Sequence, residues 1–212
     1  MKPVIFFDWD GTLADSMPLC IQQLQAALAR VGLPPKTPEE LALCNGPTYE
    51  ESVNVLHISP DKAQAFLTAR LEAELALVPK VQQLFPGVRE MLAALRPVAD
   101  LVVLSNGLPQ YLSLSLRTLA LTDAFVRVQP AIPGKSKGEA LALLLDELRP
   151  PRAVMVGDRL GDLDAGRANG LPTIAACYGF GTPREWAEAD QQAESVERLT
   201  ALLLDFAASA AR

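Results

Sequence analysis

The chain has 212 residues, of which 50% are apolar and 6% aromatic, and its formal net charge at pH 7 is −6. This length allows one α/β domain, or one core domain with a modest insertion. The negative charge argues against nucleic acid as a primary partner, because the average surface would repel a phosphate backbone. A small anionic ligand in a locally positive pocket stays possible.

The cysteines and the N-terminus indicate the compartment. Cys20, Cys44 and Cys177 are widely spaced and form no CxxC pair, which favours reduced thiols over a disulfide framework. The first apolar run is interrupted at Asp8 and is too short and too acidic for a signal peptide. No uncharged apolar run reaches the roughly 18 residues that a membrane helix needs. We therefore expect a cytoplasmic protein without membrane contacts. The sequence carries no signal for an oligomeric state.

The first predicted element is a strand, PVIFF at 3–7, which runs directly into Asp8 and Asp10. Between Asp15 and about Phe85 only amphipathic helical patterns follow, with Thr-Pro or Ser-Pro starts and Gly or Pro stops. Helices are predicted at 17–32, 37–44 and 59–78, the last ending before Pro79.

From Pro86 onward, short apolar strands alternate with helices. Strands are predicted at 100–105, 153–157 and 172–177, and helices at 87–96, 111–121, 138–148 and 195–210. Strands that are apolar on both faces are typical of the interior of a parallel sheet. The pattern predicts an α/β fold, a doubly wound parallel (Rossmann-like) sheet built from 1–15 and 86–212, with an inserted α-helical unit at 16–85.

Polar residues follow three of the predicted strands. If these strands are neighbours, their carboxyl ends bring several side chains to one edge of the sheet, where open α/β sheets bind ligands. These residues are Asp8, Asp10, Ser105, Asn106, Asp158 and Asp162. Clustered carboxylates without a counter-charge are unfavourable, and a hard divalent cation such as Mg²⁺ would neutralise them with all-oxygen ligation.

Four motifs occur in order along nearly the whole chain: DWDGTLADS at 8–16, SNG at 105–107, a lysine in GKSKGEAL at 134–141, and GDRLGD at 157–162. In this order and spacing they resemble the haloacid dehalogenase superfamily, on its phosphatase branch and close to phosphoglycolate phosphatases. The resemblance implies a phosphoric monoester hydrolase with Mg²⁺ as cofactor and a small phosphorylated metabolite as substrate. It also implies that 16–85 is a helical cap that closes over the site.

The resemblance assigns roles to individual residues. Asp8 is the nucleophile that forms an aspartyl-phosphate, and Asp10 is the general acid and base. Mg²⁺ is held by the Asp8 carboxylate, the Asp10 backbone carbonyl and Asp158, with Asp162 as an orienting residue or a ligand through water. Phosphoryl oxygens are bound by the residues of the first and second motifs, namely Gly11, Thr12, Ser105, Asn106 and Gly107.

The motif lysine is Lys137 or Lys135. Many relatives have Lys-Pro here, which Lys135-Ser136 does not match, whereas Lys137-Gly138-Glu139 is similar to relatives with a lysine at the helix start. We favour Lys137, with Lys135 as the alternative.

In the inserted helices, CNGPTYEES at 44–52 resembles the cap loop that reaches the active site in phosphoglycolate phosphatase relatives. Asn45, Thr48 and Tyr49 are therefore candidate substrate contacts, although NGPT is also typical of a plain turn followed by a helix N-cap.

Two alternatives remain beside the phosphatase. Asp10 argues against a dehalogenase or a phosphonatase, but a sugar-phosphate mutase also retains this residue and a helical cap. The cap of a mutase must clamp a second phosphate, and 17–78 has few basic residues, which favours hydrolysis; they are Arg30, Lys36, Lys62 and Arg70. The other alternative is a catalytically silent binding protein on the same fold.

Overall fold

The computed structural model describes residues 2–209 and contains one parallel sheet with helices on both faces. The strands are β1 Val4–Phe7, β2 Asp100–Leu104, β3 Arg127–Gln129, β4 Ala153–Gly157, β5 Thr173–Ala176 and β6 Gln191–Ala193. The helices are α1 Met17–Arg30, α2 Pro38–Ala42, α3 Tyr49–Val55, α4 Pro60–Val81, α5 Val88–Leu95, α6 Pro109–Thr118, α7 Lys137–Leu148, α8 Leu160–Ala168, α9 Pro183–Trp186 and α10 Val196–Ala208.

The strand order is β3-β2-β1-β4-β5-β6, and every neighbouring pair is parallel. This is the predicted α/β fold. Phe7, the last residue of β1, lies level with Val103 of β2 and Val156 of β4. The three segments that follow these strands therefore meet at one edge of the sheet.

Strand β1 is buried on both faces. Ile5 and Phe7 belong to a large apolar cluster with residues of α5, α6 and α10, whereas Val4 and Phe6 pack with residues of α7 and α8. This alternation follows from the two-residue period of a strand, and it explains why the run carries no polar residue before Asp8.

Helices α1 to α4 follow β1 in the chain, before the remaining elements of the core, and enclose an apolar cluster of their own, formed by residues from Cys20 to Ala69. The chain enters and leaves this helical unit side by side. Ala14 and Leu84 form an antiparallel bridge, and the Asp15 N–H donates to the Gln83 carbonyl at 3.0 Å. The crossing points lie next to the predicted boundaries of the insertion.

Two short strands and three helices were not predicted from the sequence. Strands β3 and β6 have three residues each and are mostly exposed or half-buried, so neither shows a continuous apolar run. Helix α3 begins where only a turn and N-cap were expected, and Thr48 is indeed its N-cap. Helices α8 and α9, which have nine and four residues, were also not predicted.

The predicted end of α4 before Pro79 is wrong, because the helix continues to Val81. Pro79 lies in the last turn, so its missing N–H removes a single hydrogen bond near the helix end rather than interrupting a long helix. The predicted helix at 195–210 is present as α10, and position 210 lies outside the described residues.

None of the helices within residues 2–209 combines the length and apolarity required to cross a membrane. The cysteines Cys20, Cys44 and Cys177 are free thiols, as expected.

Candidate active site

Asp8 and Asp158 follow β1 and β4, and a tight turn separates the first aspartate from the helical unit. Gly11 in this turn has φ of 82°, a conformation that costs a side-chain-bearing residue free energy, and its N–H donates to the Ala14 carbonyl at 2.9 Å. A Cβ at position 11 would overlap the Asp158 carboxylate. Glycine is therefore required for both the backbone turn and the close approach of Asp158.

Three carboxylates form a compact buried cluster. Asp8, Asp158 and Asp162 have relative exposures of 4%, 0% and 2%, and one oxygen of each lies within 4.8 Å of the others. An all-oxygen donor set of this kind suits a hard divalent cation.

Lys137 is the cation that the chain itself places in this cluster. Its Nζ lies 2.8 Å from Asp8 Oδ1 and 2.5 Å from Asp162 Oδ1, and its side chain is only 8% exposed. Ser136 caps α7 by accepting a hydrogen bond from the Glu139 N–H, which fixes Lys137 as the first residue of the helix. Lys135 is exposed. The geometry thus brings Lys137, and not Lys135, to the carboxylates.

The pKa shifts in this cluster show that the Lys137 ammonium alone does not neutralise the three carboxylates. Burial and the neighbouring Asp162 carboxylate raise the pKa of Asp8 despite its ion pair with Lys137. Burial, Asp162 and Asp8 raise the pKa of Asp158 well above its ordinary value. Burial alone would lower the pKa of Lys137, but Asp162 and Asp8 raise it. The site therefore favours an additional positive charge.

Asp158 is fixed by groups from three segments. Its Oδ1 accepts from the Thr12 hydroxyl at 3.3 Å, and its Oδ2 accepts from the Phe180 N–H at 2.8 Å. Its backbone carbonyl accepts from Trp186 Nε1 at 2.8 Å. Thr12, which was predicted near the phosphate, is fully buried and has its hydroxyl on the Asp158 carboxylate.

Asp162 uses both carboxylate oxygens inside the protein. Oδ1 is paired with Lys137, and Oδ2 accepts from the Arg159 N–H at 3.0 Å at the start of α8. It therefore belongs to the cluster and at the same time orients Lys137 and the turn after β4.

Asp10 is not one of the three clustered carboxylates, and its side chain is hydrogen-bonded to Tyr111 instead. Its Oδ1 accepts from the Tyr111 hydroxyl at 2.6 Å, and Gln82 Nε2 donates to the same hydroxyl at 3.4 Å. Burial raises the pKa of Asp10, while hydrogen bonds from Tyr111 and Ser16 lower it. A raised pKa lets a carboxyl group keep its proton to a higher pH, which favours a role as general acid.

Ser105 and Asn106, which follow β2, supply further polar groups to the cavity that Asp8 lines. Ser105 is 2% exposed, and its Oγ accepts from the Gly107 N–H at 2.9 Å, which leaves the hydroxyl proton available to a ligand. Asn106 Nδ2 donates to the Gly46 carbonyl at 2.9 Å and so connects this segment to the helical unit.

A cavity of about 40 Å³ lies between the carboxylates and the helical unit. Its wall includes Asp8, Asp10, the 105–107 segment, Asn45 and Tyr49. Thr48 lines a larger adjoining crevice of about 1130 Å³ that shares Asp8 and Ser105 with the cavity. Of the three predicted substrate contacts, Asn45 and Tyr49 thus reach the cavity, and Thr48 does not.

Sequence reasoning missed three contributors to this site. Tyr111 lies in α6, where its position in an amphipathic pattern indicates only core packing. Phe180 acts through its backbone N–H, which carries no sequence signal. Arg159 joins core and helical unit: its Nη1 donates to the Asn45 carbonyl at 2.7 Å and its Nε pairs with Glu185 at 3.0 Å.

Comparison with known proteins gives a consistent result. Residues 5–176 match the family model described as haloacid dehalogenase-like hydrolase. The chain is 35% identical over 179 residues to a phosphoglycolate phosphatase of Synechococcus elongatus, covering 83% of this chain and 84% of that protein.

A second relative is named for a different activity. The chain is 29% identical over 184 residues to the tyrosine-protein kinase PtkA of Mycobacterium tuberculosis, which covers 84% of this chain but 63% of that protein. Among solved structures, a predicted phosphatase from Clostridium acetobutylicum superimposes with a TM-score of 0.87 at 21% identity, covering 97% of this chain and 99% of that chain. At this identity, the structural likeness shows the fold alone.

The family match extends over the first strand, the helical unit and the segments that carry Ser105, Lys137 and Asp158. The chain therefore belongs to the haloacid dehalogenase-like hydrolases and is a phosphoric monoester hydrolase similar to phosphoglycolate phosphatases.

Proposed function

We propose that the protein is a Mg²⁺-dependent phosphatase that hydrolyses a small phosphomonoester such as phosphoglycolate through an aspartyl-phosphate on Asp8. The observation that carries this proposal is the buried cluster of Asp8, Asp158 and Asp162, whose oxygens lie within 4.8 Å of one another. Asp8 of this cluster also lines the cavity, as a nucleophile assisted by a metal ion must.

The residues fit a magnesium ion. The carboxylates of Asp8 and Asp158 and the backbone carbonyl of Asp10 would hold it, because hard cations prefer oxygen ligands and Asp162 is already engaged with Lys137 and Arg159. When bound, magnesium would shield the negative charges and let a phosphoryl anion approach an anionic nucleophile.

Asp8 attacks phosphorus with one carboxylate oxygen, and the bond between phosphorus and the substrate's ester oxygen breaks. Lys137, 2.8 Å from Asp8 Oδ1, keeps the carboxylate oriented and offsets part of the charge that develops on the phosphoryl oxygens. The Ser105 hydroxyl and the backbone N–H of Asn106 donate to these oxygens.

Asp10 supplies the proton that the leaving alcohol needs. It donates this proton to the ester oxygen as the bond breaks and then takes a proton from the water that attacks the aspartyl-phosphate, which releases phosphate and restores Asp8. Tyr111 holds Asp10 in place for both transfers through its 2.6 Å hydrogen bond.

We further propose that the unit of α1 to α4, within 16–85, is a cap that closes over the core formed by 1–15 and 86–212. Two hydrogen bonds support this role, from Asn106 to Gly46 and from Arg159 to Asn45, because both join the cap loop to the edge that carries the carboxylates. Closure would exclude bulk water from the aspartyl-phosphate. Asp10 would then activate the one water molecule that attacks it. Asn45 and Tyr49 would then contact the substrate.

The cap favours hydrolysis over a sugar-phosphate mutase. Among its four basic residues at 17–78, Arg70 alone contributes to the wall of the cavity. Arg30 is exposed and paired with Glu72, and Lys36 is paired with Glu40. A mutase would need a clamp for a second phosphate, and the cap supplies one basic side chain at the cavity wall.

Phosphate release from p-nitrophenyl phosphate and phosphoglycolate tests the proposal. We expect activity with Mg²⁺, loss of activity with EDTA, and recovery when excess Mg²⁺ is added. Asp8→Asn should abolish turnover while the fold is kept, and a panel of phosphorylated metabolites would identify the preferred substrate. Activity that is indifferent to EDTA, or near wild type in Asp8→Asn, would contradict the mechanism.

A further inference from the structure

A short segment, residues 178–186, contacts Asp158 at both its backbone and its side chain. The segment follows β5 and includes α9, and it is called the supporting segment below. The Phe180 N–H donates to Asp158 Oδ2 at 2.8 Å, and Trp186 Nε1 donates to the Asp158 carbonyl at 2.8 Å. The two hydrogen bonds fix the main chain of this fully buried aspartate as well as the direction of its carboxylate.

Two glycines let the supporting segment lie directly against Asp158. A Cβ on Gly179 would overlap the Gly11 carbonyl oxygen and the Asp158 side chain. A Cβ on Gly181 would overlap the Asp158 carbonyl oxygen and crowd Trp186 Nε1. Neither glycine has a positive φ, so these positions require glycine for space and not for backbone conformation. A side chain at either position would push the segment away from the aspartate.

Helix α9 is fixed to the turn after β4 by a second residue, Glu185. Thr182 caps α9 by accepting from the Glu185 N–H at 3.3 Å. Glu185 Oε1 in turn accepts from Arg159 Nε at 3.0 Å and from the Leu160 N–H at 3.3 Å. Three consecutive residues, 158–160, are therefore bonded to two neighbouring residues of α9, which holds the indole of Trp186 in place.

The supporting segment also contacts the turn after β1. The Tyr178 hydroxyl donates to the Thr12 carbonyl at 2.9 Å, and the Thr12 hydroxyl donates to Asp158 Oδ1 at 3.3 Å. The Phe85 ring centre lies 5.1 Å from that of Tyr178 and 5.9 Å from that of Phe180. The segment thus connects the turns that carry the first motif and Asp158.

Asp158 needs this support because its neighbours repel it. Asp8 and Asp162 place two further carboxylates within 4.8 Å, and Lys137 alone does not neutralise the three. Without a cation, repulsion favours movement of Asp158 away from the other two carboxylates. A ligand that is already held in place loses little freedom when the cation binds, so its support raises the affinity.

We propose that Trp186 is a positioning residue for the metal site: together with Gly181, it holds Asp158 in the ligating position and thereby sets the affinity for the divalent cation. This inference rests on the proposed function, since the cation is the one that Asp8 and Asp158 would hold. Trp186 lines neither the cavity nor the adjoining crevice, so it acts through Asp158 and touches no substrate.

Titration of the metal-free protein with Mn²⁺ tests the inference, because Mn²⁺ takes the same oxygen ligands as Mg²⁺ and its free concentration is read by electron paramagnetic resonance. Trp186→Phe keeps an aromatic ring but removes the donor to the Asp158 carbonyl. It should raise the Kd for Mn²⁺ by about 10- to 30-fold. Asp158→Asn marks the site, and its binding should be lost. At saturating Mn²⁺, kcat of Trp186→Phe on p-nitrophenyl phosphate should return to within about threefold of wild type.

A pair of glycine variants gives an independent comparison with a matched control. Gly181→Ala places a methyl group against the Asp158 carbonyl and should raise the Kd for Mn²⁺ by about 30- to 100-fold. Gly161→Ala adds the same methyl group in α8, beside Asp162, where a Cβ would meet nothing within 4 Å. It should leave the Kd unchanged. Far-UV circular dichroism in EDTA shows whether each variant is folded, and this pair keeps the test valid if Trp186→Phe does not fold.

Three results would overturn the inference: a wild-type Kd in folded Trp186→Phe or Gly181→Ala, an equal rise in Kd in Gly161→Ala, or a loss of kcat in Trp186→Phe that saturating Mn²⁺ does not restore. In each case Mn²⁺ binding by wild type would leave the proposed function standing. A wild type that binds no Mn²⁺, or that binds it no better than Asp158→Asn does, would contradict the proposed function and this inference with it.

Discussion

Replacing Lys137 by methionine removes the ammonium that lies among the buried carboxylates and keeps a side chain of similar length. Lys137 is 8% exposed and makes two ion pairs, at 2.8 Å with Asp8 and 2.5 Å with Asp162. Removing one partner from a buried pair costs about 3–5 kcal/mol. Because the orphaned carboxylates can take up protons, we expect a loss near the lower limit, about 3 kcal/mol, in metal-free buffer.

The same substitution should also reduce turnover. Removing a group that stabilises developing transition-state charge lowers kcat by about 10²- to 10³-fold. Urea unfolding followed by tryptophan fluorescence gives the stability, and phosphate release from p-nitrophenyl phosphate gives kcat. Both measurements should be made with EDTA and with Mg²⁺, since a cation in the site would offset part of the lost stability.

Lys135→Met is the control, two residues away at an exposed position. It should change stability by no more than about 0.5 kcal/mol and leave kcat unchanged, as surface substitutions usually do. If the two variants behave alike in both assays, the assignment of the motif lysine from geometry is wrong.

Three further substitutions test other parts of the site. Tyr111→Phe removes the hydroxyl that donates to Asp10 and accepts from Gln82, so it should lower kcat by about 10- to 100-fold and the unfolding free energy by about 1–3 kcal/mol; a kcat near wild type would show that Asp10 needs no such support. Burial raises the pKa of Glu74 to about 7, so Glu74→Gln should gain up to about 3 kcal/mol of stability relative to wild type between pH 5 and 8. The folded wild type keeps the Glu74 proton up to about pH 7 whereas the unfolded chain loses it near pH 4.5, so wild-type stability falls as pH rises through this window; parallel pH profiles in urea unfolding would contradict the burial argument. Gly11→Ala combines a strained positive φ with overlap on the Asp158 carboxylate, so it should lose about 1–3 kcal/mol of stability and most of its phosphate release, and a variant with wild-type values in both assays would refute this reading.

The sequence was sufficient to predict the core of the sheet, because strands buried on both faces are marked by uninterrupted apolar runs. Val4–Phe7 and Ala153–Gly157 are fully buried and were both predicted. Arg127–Gln129 and Gln191–Ala193 are edge strands held mainly by backbone pairing with one neighbour, so side-chain patterns do not reveal them.

The carboxylates of the candidate site were predictable because each follows a strand, and parallel strands fix where their ends meet. Lys137 was favoured over Lys135 from the residues that follow each lysine, and in the structure its position depends on where α7 begins relative to the cluster. Tyr111 lies 101 residues from Asp10 in the chain and meets it only through the packing of α6 against the edge of the sheet. Arg70 was one of four basic residues in the insertion, and only its burial and its place in the cavity wall distinguish it.

Acid quenching of the Asp10→Asn variant during reaction with p-nitrophenyl phosphate and Mg²⁺, followed by peptide mass spectrometry, tests whether Asp8 carries the phosphoryl group. The p-nitrophenolate leaving group needs no proton from Asp10, so the adduct on Asp8 can still form. Without Asp10 the attacking water loses its base, so the intermediate should accumulate. We predict a hydroxylamine-sensitive phosphoryl adduct on the peptide that contains Asp8, absent with EDTA and absent in Asp8→Asn. Phosphate release with no adduct on this peptide, or an adduct on another residue, would contradict nucleophilic attack by Asp8.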